Sequence, residues 1–87
     1  DGNLHATPVM PPEWELSQWE RILPAILHDL YQACKDLGGR ISGEHGIGHK
    51  RKQYLAETVD PGFLNMMRAI KTALDPNGIL NPGKIFD

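Results

Sequence analysis

The sequence predicts an α+β fold, with two main helices and an extended C-terminal tail. Three observations predict it. Residues 3–10 alternate as an extended segment does. A long run beginning near Ser17 repeats its apolar residues at helical spacing. Asp60-Pro61 then opens a second amphipathic stretch.

In the first element, Leu4, Ala6 and Pro8 fall on one face and His5, Thr7 and Val9 on the other, so residues 3–10 read as a strand. Pro11 and Pro12 end it, because neither has an N–H to give to a ladder. The next element is a helix. Ser17-Gln18-Trp19-Glu20 fits a capping box with Ser17 as N-cap. Trp19, Ile22, Leu23, Ile26, Leu27, Leu30, Cys34 and Leu37 then form a stripe suited to burial. Gly38-Gly39 closes the helix. Pro24 cannot donate to the carbonyl of Glu20, which predicts a kink there or an effective start near Leu23.

From 40 to 48 the helical pattern stops. Ile41 seeds a short second strand, and Gly43, Gly46 and Gly48 force an irregular backbone after it. His49 and the basic run after it open a short helical turn that reaches Leu55. Asp60 caps the last helix with Pro61 at its first position, and Phe63, Met66, Met67, Ile70, Ala73 and Leu74 line its predicted core face. Asp75-Pro76-Asn77-Gly78 has the residue placement of a type I turn. The apolar tail beyond it is broken by Pro82-Gly83.

Composition narrows the classes of function. With 87 residues the chain is one small domain at most, or a piece of a larger one. Nine Lys or Arg against 11 Asp or Glu give a net charge of −2, which argues against nucleic acid as a partner. A single cysteine, Cys34, excludes an internal disulfide framework. No apolar run approaches the ~20 residues of a membrane span. The opening Asp1-Gly2-Asn3 has neither an initiator Met nor a signal-peptide pattern, and reads as the inside of a motif in a longer chain.

Candidate chemistry lies with the histidines and the glycine-rich bend. His28 is off the helix stripe and His49 heads a basic run, so both read as solvated positions. His5 and the Glu44-His45 pair flank predicted strands in polar, glycine-containing segments, and imidazole with carboxylate suits a divalent metal. Neighbours in extended chain point to opposite sides, so one of Glu44 and His45 faces the metal and the other faces something else, such as a substrate proton. Residue types alone leave a metal site and ordinary hydrogen-bonded turn residues both open. Gly43, Gly46 and Gly48 ahead of Lys50, Arg51 and Lys52 also allow an anion loop, although neither phosphate-binding glycine pattern is matched. Trp14, Trp19, Phe63 and the methionines read as packing residues, and Cys34 as a buried, inert thiol.

Three motifs occur in order: Asp1-Gly2-Asn3-Leu4-His5, then 39–48 around Ser42-Gly43-Glu44-His45-Gly46, then 74–84 ending in Asn81-Pro82-Gly83-Lys84. Together they resemble the C-terminal part of FAD-linked oxidases, in the D-lactate dehydrogenase, glycolate oxidase and D-2-hydroxyglutarate dehydrogenase branch of the vanillyl-alcohol-oxidase superfamily. The resemblance spans residues 1–87 and implies a fragment of the substrate and C-terminal region, with the FAD-binding domain absent. It implies that the strands belong to a larger antiparallel sheet.

It also implies that His5 and Glu44 bind a divalent metal such as Zn, Mn or Fe. A further histidine would lie just upstream of Asp1. His45 is then the active-site histidine that takes the substrate hydroxyl proton, and Asn81 and Lys84 lie near the flavin and the substrate pocket. The implied reaction oxidises a small 2-hydroxy acid to a 2-oxo acid by hydride transfer to FAD, and this fragment would be inactive alone. Implied partners are the remainder of the flavoprotein and an iron–sulfur or electron-transfer subunit. The implied location is the cytoplasm or the inner membrane face, and an isolated fragment would self-associate through orphaned apolar surface. The chain departs from the family pattern at Thr7, where Asn is usual, and at Arg51, where Lys is usual and which Lys50 precedes. The alternatives are a small metal- or anion-binding module and a structural interaction domain.

Overall fold

The computed structural model describes residues 2–86 and divides into two compact units, Asp1–Gly43 and Glu44–Asp87. It holds three helices: α1 (Leu16–Asp36), α2 (Lys52–Thr58) and α3 (Pro61–Leu74). There is no strand among the described residues, which corrects the α+β expectation and its antiparallel sheet. Residues 3–10 are irregular and mostly exposed, and Ile41 sits in a bend. The physical reason is that alternation specifies a strand only when a ladder partner takes up its N–H and C=O groups. The glycine-rich bend after Ile41 is too irregular to serve as one.

In the first unit, α1 starts earlier than the Ser17 signal indicated. Its N-cap is Glu15, in extended backbone, and the Glu15 N–H donates to Gln18 Oε1 at 3.0 Å. Trp14, just before the cap, packs edge-on against Trp19 with ring centroids 6.4 Å apart. That is the apolar staple which fixes the angle of chain entry. α1 runs through Pro24 as one helix rather than beginning near Leu23. Its stripe is half-buried at Trp19, Leu23, Ile26, Leu27, Leu30 and Cys34, whereas Ile22 and Leu37 are exposed. The helix ends as the glycine pair predicts. Gly38, at φ 81°, donates to the Lys35 carbonyl and Gly39 to that of Cys34, both at 2.8 Å.

In the second unit, the core is Tyr54 and Leu55 of α2 with Leu64 of α3, joined by the buried polar residues Thr58 and Asp75. Each buried apolar side chain contributes about 1.5–3 kcal/mol. Thr58 is satisfied in place, because its hydroxyl donates to the carbonyls of Tyr54 and Leu55 at 2.8 and 3.3 Å. α2 is displaced by a few residues from the predicted turn and runs on to Thr58.

α3 begins as predicted. Asp60 accepts from the N–H groups of Gly62 and Phe63 at 2.9 and 3.3 Å. The predicted core face is not the buried one, however. Phe63, Met66, Ile70 and Leu74 are all exposed, and Leu64 is the residue inside. Asp75-Pro76-Asn77-Gly78 forms the predicted turn, closed by Gly78 N–H to the Asp75 carbonyl at 3.1 Å.

Candidate functional site

The second unit carries four of the five predicted site residues, Glu44, His45, Asn81 and Lys84, on two irregular segments. The first is the glycine bend, where Gly46 and Gly48 adopt φ 75° and 60°. The second is the tail. Its backbone also turns left-handed, at Asn81 (φ 45°), Gly83 (φ 74°) and Ile85 (φ 65°). Asn tolerates this region better than most residues, while a β-branched residue such as Ile is strained there.

The tail is strapped onto the bend. Ile85 N–H donates to the Gly48 carbonyl at 2.7 Å. The Gly83 carbonyl meets both Lys52 Nζ, which donates to it, and His49 Nδ1, each at 3.4 Å. Arg51 reaches back from the start of α2 to donate to the Gly46 carbonyl at 3.0 Å. At the tail's end the Arg68 guanidinium of α3 stands 5.6 Å from the centre of the Phe86 ring. The fold therefore links the segment bearing Asn81 and Lys84 to the loop that follows Glu44 and His45.

Glu44 and His45 are more than half exposed, with His45 Nε2 3.5 Å from Glu44 Oε1. Lys84 Nζ donates to the Pro82 carbonyl at 3.2 Å, within its own tail. His5 lies in the first unit, exposed, in the irregular leading segment. In that unit the leading segment is packed against the end of the unit at Gly43. A Cβ there would meet the Asn3 carboxamide, which would have to shift to admit it. Asn3 precedes His5 by two positions, and Gly43 is the residue to which Glu44 is joined.

Residue types gave no warning of Asp75. Its carboxylate is buried and accepts from Lys71 Nζ at 2.6 Å and from the N–H groups of Ile79 and Leu80, each at 3.0 Å. The Lys71 ammonium holds the Asp75 carboxyl below its ordinary value; burial opposes this, and the Leu80 and Ile79 N–H groups reinforce it. The sequence signal was the Asp at the first position of the turn, a residue that often bonds backbone a few positions on. No helix among the described residues is long and apolar enough to cross a membrane.

Residues 1–85 match a family described as FAD linked oxidases, C-terminal domain. A D-lactate dehydrogenase of Anaerostipes hadrus is 41% identical over 85 residues, covering 98% of this chain and 18% of that protein. The glycolate oxidase subunit GlcD of Bacillus subtilis is 38% identical over 86 residues, 99% of this chain and 18% of its own length. A D-2-hydroxyglutarate dehydrogenase of Stutzerimonas stutzeri is 35% identical over 86 residues, with the same coverage of 99% and 18%. The chain thus spans less than a fifth of the length of these curated relatives.

Proposed function

This chain belongs to the family of FAD linked oxidase C-terminal domains, and from that premise we propose that it supplies the substrate-handling groups of a flavin-dependent 2-hydroxy-acid dehydrogenase. Lactate, 2-hydroxyglutarate and glycolate, in the names of the three relatives, share one reactive unit, a hydroxyl on the carbon next to a carboxylate. The observation that carries the reading is the strap from Ile85 to Gly48, which joins the tail of Asn81 and Lys84 to the loop after Glu44 and His45.

In this reading His5 and Glu44 are ligands of a divalent cation. Their donor types fit, since imidazole nitrogen with carboxylate oxygen suits Zn, Mn or Fe. When bound, the flavin supplies the hydride acceptor and the divalent ion supplies Lewis acidity toward the substrate hydroxyl. The chain's own residues do the rest. A neutral His45 imidazole accepts the hydroxyl proton at a ring nitrogen, so that electron density is left to expel hydride from the same carbon. Its exposure leaves the ring approachable by a small substrate. Lys84 offers an ammonium and Asn81 a carboxamide toward the flavin and the substrate carboxylate. The rest of the flavoprotein, together with an electron-transfer subunit, completes the partners of this reading.

The test is a panel of D-2-hydroxy acids assayed by dye reduction with the full-length protein, before and after chelation and with metal added back. Turnover of at least one member, lost on chelation and restored by a divalent ion, is the expected result. Turnover indifferent to chelation removes the metal from the reading. A full-length protein that binds no flavin removes the reading itself, in favour of a small metal- or anion-binding module.

A further inference from the structure

We infer that Asp75 and Lys71 are positioning residues, a clasp that fixes where Asn81 and Lys84 sit. The inference rests on the proposed reading, in which Asn81 and Lys84 serve the flavin and substrate.

The turn from Asp75 to Gly78 is already closed by a backbone hydrogen bond of 3.1 Å, so the Asp75 side chain is not needed to make it. Its carboxylate instead reaches past the turn. Oδ1 accepts from Ile79 N–H and Oδ2 from Leu80 N–H, each at 3.0 Å. Lys71 Nζ, 2.6 Å from Asp75 Oδ2, donates in addition to the Leu80 carbonyl at 2.7 Å. Leu80 is therefore gripped at both of its backbone polar groups, the N–H by the aspartate and the C=O by the lysine. Beyond it the chain turns into the left-handed region at Asn81, φ 45°.

The two members of the clasp differ in their surroundings. The Asp75 side chain is only 4% exposed, and a carboxylate so enclosed needs its partners. The Lys71 side chain is 37% exposed and stands in the last turn of α3. An ordinary ion pair between residues four apart on a helix surface contributes little and aims at nothing. Here both side chains also bond the backbone of Leu80, the residue that delivers Asn81. A helix end and a buried carboxylate thereby set the direction from which the tail leaves the core. A misplacement of about 1 Å in a group that meets the reacting centre costs up to about a hundredfold in rate, so the clasp acts on turnover through the residues it aims.

The experiment is a double-mutant cycle in the full-length holoenzyme: Lys71→Met, Asn81→Ala and the pair, with Asp75→Asn alongside. Flavin content, melting temperature, kcat and KM are measured for each. Lys71→Met keeps the aliphatic stem and is expected to retain flavin while lowering kcat about ten- to a hundredfold, with a smaller change in KM. Added to Asn81→Ala it is expected to cost little more, because both changes disable the same placement. A folded, flavin-loaded Lys71→Met enzyme with wild-type kcat overturns the inference. So does a loss that simply multiplies with that of Asn81→Ala, the mark of a general structural role. If Asp75→Asn fails to fold, the half-exposed Lys71 still decides the matter. A wild-type holoenzyme without turnover, or an Asn81→Ala enzyme with full turnover, defeats the underlying reading and the inference with it; a silent Lys71→Met beside a responsive Asn81→Ala defeats the inference alone.

Discussion

Ile85 donates its backbone N–H to the Gly48 carbonyl at 2.7 Å, and it does so from a left-handed conformation that a β-branched residue adopts only under constraint. Two substitutions separate the bond from the strain. Ile85→Pro removes the N–H and imposes a φ near −65°, so it is expected to destabilise the second unit by at least about 1 kcal/mol. Ile85→Gly keeps the bond and relieves the strain, and is expected to be the milder change despite its lost side chain. Urea denaturation checks the order, and a proline variant as stable as the glycine variant would show that the strap bears nothing.

Glu44 and His45 are expected to fail differently when replaced in the full-length protein. Glu44→Ala abolishes turnover and leaves the bound flavin, because it removes a metal ligand in the proposed reading. His45→Asn retains metal and flavin but slows kcat by about a hundredfold or more, the scale of a lost general base. Metal analysis with steady-state kinetics distinguishes the two, and an unchanged rate for His45→Asn removes its assignment as base.

Helix capping gives a direct comparison between the two units. Asp60→Ala removes the acceptor for two N–H groups of α3 and is expected to cost about 1 kcal/mol. Ser17→Ala is expected to cost under about 0.5 kcal/mol, since Ser17 lies inside α1 and Glu15 is the cap. Thermal melts followed by circular dichroism measure both.

Asp75 sets a pH dependence with a definite sign. Its folded pKa lies below the ordinary value of 3.8, chiefly through the hydrogen bond from Lys71. The carboxylate therefore contributes stability that is complete above 3.8 and is lost as pH falls through the depressed value. Acid titration of the folded protein is expected to show this loss below about pH 4. Asp75→Asn should be less stable at neutral pH, with a shallower acid limb. An identical acid limb would mean that the carboxylate titrates as it does in the unfolded chain.

The parts of the fold that could be read in the sequence are those specified by neighbours along the chain. Asp60-Pro61, Gly38-Gly39 and the turn at Asp75 each announce themselves through local backbone chemistry, and all three form. Ser17 with Glu20 and Glu15 with Gln18 offer the start of α1 the same spacing; the Trp14–Trp19 contact favours the earlier one. Residues 3–10 alternate as a strand does but have no ladder here, since alternation describes one edge and a sheet needs two. The stripe from Phe63 to Leu74 has the spacing of a core face, yet spacing cannot say what covers a face, and most of it is exposed. At the site, residue types brought out His5, Glu44 and His45 as candidates, whereas Asn81 and Lys84 entered only through the family resemblance. The strap and the clasp were invisible, because Gly48, Gly83 and Leu80 take part through backbone atoms alone.

Both tryptophans of the chain stand at one end of α1, stacked edge to face. Indole emission therefore reports from the first unit, Asp1–Gly43, which holds both. Emission and ellipticity recorded in one melt become two separate thermometers. A gap between their midpoints would reveal that the halves of this short polypeptide come undone in sequence rather than together.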